Sequence, residues 1–161
     1  MRNLRIWLLI AVPLIAFAWT TPAWAPRCPG CTVTSLLLPL EGIVSTPGDP
    51  CVPTGEDVTL AGEVHVVTQA RPNFVAMIHL NMAGVEGTGQ TSGNMYIGTG
   101  ADRLLNLQPG DPCFPLQANF TLEKTDGCAS VPLPVTARLC LAGDGTLLSS
   151  STVSVGPSDS K

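Results

Sequence analysis

The residues best suited to chemistry are His65 and His79, the only two histidines of the chain. Each sits in a run of alternating apolar and polar residues, so each belongs on one face of a strand. Cross-strand neighbours stand about 5 Å apart at Cβ, close enough for two imidazoles to share Zn²⁺ or Cu²⁺. Glu63 and Asn81 fall on the same face and could assist. The competing reading makes both histidines ordinary polar residues of a strand surface. A second candidate is the glycine-rich run Gly84, Glu86, Gly87, Gly89, Thr91, Gly93, which reads as a loop of ten residues able to bind a polar ligand. It is no phosphate cradle, because strands rather than a helix N-terminus flank it. Ser92, Thr91 and Asp102 can be assembled on paper with a histidine into a triad, but nothing in their spacing requires it. No G-x-S-x-G elbow or H-E-x-x-H is present, and the chain reads as non-enzymatic. Cys28-Pro-Gly-Cys31 resembles a redox or half-zinc element in spacing alone. It lacks both the strand–helix setting that lowers a thiol pKa and a second ligand pair, so a structural staple is the expectation.

A hairpin must position the histidines. Val58, Leu60, Gly62, Val64, Val66 and Thr68 alternate with Asp57 to Gln69, and Phe74, Ala76, Ile78, Leu80 and Met82 repeat the pattern. Ala70-Arg71-Pro72-Asn73 supplies the turn, with proline fixing φ and asparagine tolerating a left-handed backbone. Burying both apolar faces together pairs even-numbered with even-numbered residues, since a one-residue slip turns a strand inside out. His65 and His79 then lie on the odd face, opposite one another or one diagonal apart.

The rest of the chain adds short strands to this nucleus. Thr32–Leu40, Asn94–Thr99, Ala101–Leu107, Leu116–Lys124, Val131–Leu141 and Thr146–Val155 read as strands. Between them stand a proline- and glycine-rich loop from Glu41 to Gly55 and turns at 109–112, 125–127 and 142–145. No segment sustains a 3.6-residue period. The expectation is an all-β fold: an antiparallel β-sandwich of seven or eight strands, or alternatively a small up-and-down β-barrel.

Residues 1–25 read as a signal peptide, with a basic start at Arg2 and Arg5 and an apolar run from Ile6 to Trp19. Cleavage is expected after Ala18, Ala23 or Ala25. Residues 26–155 then form one disulfide-stapled β domain and 156–161 a polar tail, with no transmembrane segment in the mature chain. Losing Arg2 and Arg5 from the eight basic residues leaves six, scattered, against twelve acidic ones. Nucleic acid and anionic membrane are disfavoured, because both need a basic patch. All three tryptophans lie in or beside the leader, so the core must be built from Val, Leu, Ile and Met.

Six cysteines (Cys28, Cys31, Cys51, Cys113, Cys128 and Cys140) in an exported chain imply a disulfide framework. If the strands at 116–124 and 131–141 are antiparallel neighbours, Cys113 and Cys140 share one end of the sheet. Cys128 then lies about 30 Å away at ~3.3 Å per residue, beyond disulfide reach. The expected bridge is Cys113–Cys140, which leaves Cys128 for Cys28, Cys31 or Cys51.

The run from Gly55-Glu-Asp-Val to His79-Leu-Asn-Met-Ala-Gly-Val-Glu-Gly-Thr-Gly-Gln-Thr-Ser-Gly-Asn-Met-Tyr96 resembles a group of small exported bacterial proteins. They share an H…N-x-x-G-x-x-G-x-G-x-T-[ST]-G-x-x-Y stretch, and no activity is assigned to them. The resemblance covers about residues 56–96 and implies export and an all-β fold. It maps the group's histidine and Gly/Thr loop onto His65, His79 and Gly84–Gly93. The resemblance implies no function; from the residues themselves the expectation is a non-enzymatic secreted or periplasmic β domain. It would act as a binding or cell-envelope interaction module for an unknown extracellular or periplasmic ligand, without a required cofactor. The alternatives are a metal-binding protein using His65 and His79, or a barrel-type carrier of a small apolar ligand.

Overall fold

The computed structural model describes residues 28–48, 54–127 and 130–156. The expected signal peptide with its cleavage sites, Cys51, Cys128 and the tail beyond Gly156 lie outside the described residues. Eight strands follow in order: β1 Thr32–Thr46, β2 Glu56–Arg71, β3 Phe74–Gly89, β4 Met95–Thr99, β5 Ala101–Leu107, β6 Cys113–Lys124, β7 Ser130–Cys140 and β8 Thr152–Val155. All pairings are antiparallel, and neighbours in sequence are neighbours in space along β1-β2-β3-β4-β6-β7-β8, with β5 also on β3. β4 and β5 occupy consecutive lengths of the same β3 edge, bent at Gly100, whose carbonyl accepts from the Met82 amide.

The all-β antiparallel architecture stands as expected. Its strand order is that of an up-and-down meander, curled until β8 lies against β1. There Gly42 leaves no room for a Cβ, which would stand 3.2 Å from Val155 Cγ2. The seam closes further through the loop after β7: the Leu147 amide donates to Thr34 Oγ1 at 3.0 Å, and Thr32 Oγ1 donates to the Asp144 carbonyl. β1 runs on to Thr46, although Glu41–Gly55 reads as a loop, because its whole length pairs with β2 from Thr32↔Ala70 to Thr46↔Glu56. β8 is shorter than expected. Residues 146–151 form a loop held by the Leu141↔Leu147 bridge and by the Cys140 amide donating to Ser151 Oγ.

The expected even-to-even register holds through the middle of the β2–β3 hairpin, where Val64 faces Met82, Val66 faces Leu80 and Thr68 faces Ile78. At both ends β3 carries an extra residue. Glu63 pairs Ala83 but Ala61 pairs Glu86, so Gly62 stands against Gly84 and Val85. Gln69 pairs Met77 but Ala70 pairs Val75, which leaves Ala76 over. Each bulge switches which residues face inward. Beyond the first, Val85, Gly87 and Gly89 are buried; beyond the second, Val75 is fully buried and Phe74, which alternation assigns to the core, is turned outward. The Gly84–Gly93 stretch is consequently strand as far as Gly89, and the chain reverses only over Gln90–Asn94.

The interior is filled by side chains. Leu40, Leu60, Ile78, Leu80, Leu122, Leu133 and Leu139 are each less than 2 % exposed, as is Tyr96, the one large aromatic at that depth. At about 1.5–3 kcal/mol for each fully buried aliphatic side chain, this aliphatic set suffices without tryptophan. Cys113 and Cys140 face each other across β6 and β7 and are bonded, as expected, and Cys28 is bonded to Cys31. No cysteine among the described residues is free. The described residues contain no helix, and so none long and apolar enough to cross a membrane.

A Cβ at position 62 would stand 2.5 Å from both the Gly84 carbonyl oxygen and Val85 Cα. Gly62→Ala should therefore cost more than about 1 kcal/mol in urea unfolding. Gly143→Ala, which meets nothing within 4 Å, should stay within about 0.5 kcal/mol of wild type. Equal midpoints for the two variants would show that the bulge does not depend on that close approach.

Candidate functional site

One end of the barrel is closed by a polar plug. Glu56, the first residue of β2, points inward and is 6 % exposed. Gly89 leaves its carboxylate room, since a Cβ there would overlap it. Ser92 donates its hydroxyl to both carboxylate oxygens, at 2.7 and 2.8 Å, and its amide to Oε2 at 3.1 Å, while Tyr96 donates its hydroxyl to Oε1 at 2.7 Å. Gly87 makes space for this group from below: a Cβ would lie 2.7 Å from Val58 Cγ1 and 3.2 Å from Tyr96 Cβ. Lys124, opposite Tyr96, is buried as well and reaches Asp126 at 2.9 Å.

Burial opposes the charge on Glu56 and is the largest single influence on it. The hydrogen bonds from Ser92, Tyr96 and the Ser92 and Thr91 amides together outweigh it and hold the carboxyl at about 2, against its ordinary 4.5. They win because the group sits at the barrel rim, covered by its own hydrogen-bond partners with little protein beyond them. Ser92 is thus committed to a carboxylate rather than activated by an imidazole. The paper triad is not assembled either, because Asp102 lies on β5 and accepts the Arg103 amide at 2.7 Å. The arrangement is a lock on the β3–β4 turn.

The histidines lie one diagonal apart, on the outer face as expected: His65 is opposite Asn81, and His79 is opposite Val67. Ser35 Oγ lies 2.6 Å from His65 Nε2, and Arg103 stands across from His79 on the β5 side. Glu63 lies between Pro39 and Ala83. A cation shared by the two imidazoles would compete with Ser35 for one nitrogen and sit beside a guanidinium. Among the described residues, no three His, Cys, Asp or Glu side chains gather into a metal-holding group. Of the glycine-rich run, Gly84 forms the bulge, Glu86 points to solvent, Gly87 and Gly89 face inward, and Thr91 and Gly93 lie in the exposed turn. These residues therefore do not converge on one surface.

The opposite end of the barrel carries a groove of about 270 Å³. Three connections meet there: the β2–β3 turn with Arg71, Asn73 and Phe74, the β5–β6 loop from Pro109 to Pro112, and the β7–β8 loop with Leu141 and Gly145. Arg71 and Phe74 are the pair that flanks the Pro72-Asn73 reversal, with Asn73 at φ 58. Because the Ala76 bulge turns Phe74 outward, the Arg71 guanidinium lies over its ring, 5.0 Å from the centroid. Gly145, at φ 90, lets the β7–β8 loop dock on β2: a Cβ would stand 2.7 Å from the Ala70 carbonyl. The Cys113–Cys140 bridge and the Leu141 amide, which donates to the Pro112 carbonyl, tie the other two connections together. Arg71 and Asp111 both line the groove, and neither forms an ion pair among the described residues. Sequence reasoning missed this site because it assigned Phe74 to the core and read Arg71 as a turn residue. An Arg and a Phe bracketing a Pro-Asn turn is the signal that was there to be used.

No protein-family model matches the chain, and comparison with curated proteins and with solved structures likewise finds no match.

Because the folded pKa of Glu56 lies below its unfolded value, its contribution to stability is full above about pH 4.5 and is lost as pH falls toward 2. Glu56→Gln should destabilise the protein by about 1–3 kcal/mol at pH 7, and the gap to wild type should close as the pH approaches 2. Urea unfolding across that range checks both. A gap independent of pH would mean that shape, rather than charge, holds the turn.

Proposed function

We propose that this chain is an exported, non-enzymatic binding module whose ligand site is the groove at the Arg71 end of the barrel. The observation that carries this reading is the meeting of three loops, fixed by a disulfide, a docked glycine and a stacked Arg–Phe pair, around an opening lined by charges that have no ion-pair partner among the described residues. Binding sites favour loops held on a rigid scaffold. The disulfides and the leader-like N-terminus support export. The filled interior favours an end-on site over the carrier alternative, in which the ligand would occupy the space now taken by Tyr96 and its aliphatic neighbours.

The test is an amide NMR screen of the oxidised protein with a chemically mixed set of small fragments and with Zn²⁺ alone. Perturbations clustered on Arg71–Phe74, 109–112 and 141–145 are expected. Perturbations confined to the surface around His65 and His79 on adding Zn²⁺ would favour the metal reading instead. A screen that moves no groove resonance would end the proposal. Intact mass of protein recovered from an exported fraction should place the mature start after Ala18, Ala23 or Ala25.

A further inference from the structure

The groove's chemistry narrows the class of ligand, an inference that rests on the groove being the binding site. The chain is acidic, with net charge −4, and Arg71 is the one cationic side chain among the lining residues. It has no carboxylate partner among the described residues. The guanidinium is held 5.0 Å from the Phe74 ring centroid rather than by a counter-charge, and its planar fork of donors suits a bidentate carboxylate. Beside it, Phe74 and Leu141 are half-buried and Pro109 and Pro112 complete an apolar wall. Asp111 adds a negative charge to the same rim, which disfavours a dianion such as phosphate more than a monoanion. The volume, below the roughly 300–1,000 Å³ of a drug-sized site, suits one side chain and its acid group.

We infer that the groove takes a carboxylate carried on an apolar side chain, with the acid on Arg71 and the apolar body against Phe74 and Leu141. That chemistry belongs equally to the C-terminal residue of a polypeptide and to a free small acid.

Four probes test it by NMR titration of the oxidised protein: N-acetyl-leucine, N-acetyl-leucinamide, 4-methylpentanoate and inorganic phosphate. At least one of the two monocarboxylates should saturate shifts at Arg71, Phe74 and Gly143, and should bind about tenfold or more tightly than the amide or phosphate. N-acetyl-leucine binding alone would identify a chain terminus as the ligand, and 4-methylpentanoate alone a free acid. Arg71→Gln should abolish the preference for acid over amide. Arg71→Lys should recover only part of it, because a point charge lacks the fork. Asp111→Asn should tighten the monocarboxylate and raise phosphate binding. Arg71 is exposed, so these variants are expected to keep the wild-type amide spectrum away from the groove. If the amide binds as well as the acid, the groove stands as a site and the carboxylate inference falls. If none of the four probes moves a groove resonance while other fragments do, the inference also falls. If nothing at all binds there, the site itself is wrong.

Discussion

The structure turns on how β3 distributes its side chains. A strand has two faces and a fixed alternation, so each residue's environment is set by its neighbours unless an extra residue intervenes. β3 has two such interventions, at Gly84 and at Ala76. The first brings Gly87 and Gly89 to the inner face, where only residues without side chains leave space for Tyr96 and the Glu56 carboxylate. The second puts Val75 into the core and expels Phe74 to meet Arg71. One end of the barrel thereby becomes a closed polar plug and the other an open groove with an aromatic floor. Remove either bulge and the corresponding end loses the residues that define it.

The two ends differ in what their charged groups are for. At the plug, the buried charged side chains are engaged: Glu56 by Ser92 and Tyr96, and Lys124 by Asp126. A buried carboxylate left unpaired would be costly, and the hydrogen bonds that prevent this also pin the β3–β4 turn. At the groove, Arg71 and Asp111 have solvent rather than each other. A guanidinium held by stacking and not by a counter-charge keeps its donors available, whereas an ion pair within the protein would have to be broken before a ligand could bind.

Much of this was legible in the sequence, and the misreading of β3 has one cause. Alternation located the hairpin, its even-to-even pairing and the face that the two histidines share, and strand geometry selected Cys113–Cys140. The errors within the hairpin follow from the bulges. A run of glycines at 84, 87 and 89 reads as a loop when its real role is to be small on the inner face of a strand. Phe74 reads as core because Ala76, a residue with no turn signal, shifts the alternation. A clue was present at one bulge: extending the register of Val64 with Met82 sets Gly62 opposite Gly84, and two facing glycines within a hairpin mark a place where backbones approach or a strand bulges. Glu56 was overlooked because it opens a strand, where a charged residue is ordinarily exposed, and its partners Ser92 and Tyr96 are distant in sequence.

The sheet also has an opening between β5 and β6, and its margins bear on whether another strand could add there. β4 pairs with β6 from Tyr96↔Lys124 to Thr99↔Thr121, but β5 stays on β3 and parts from β6. Two strand margins thus lie along a gap, the setting in which an extended chain can add itself to a sheet. Each margin is guarded. Asp102 folds its carboxylate back onto the Arg103 amide, Asn106 breaks the extended line at φ 57, and on β6 Pro115 has no amide to offer. A visiting strand would meet an amide already engaged at Arg103, a break at Asn106 and a missing donor at Pro115, each of which interrupts a continuous ladder. With the interior filled, one end plugged and this gap protected, the Arg71 groove remains a place where shape coincides with charges that have no ion-pair partner among the described residues.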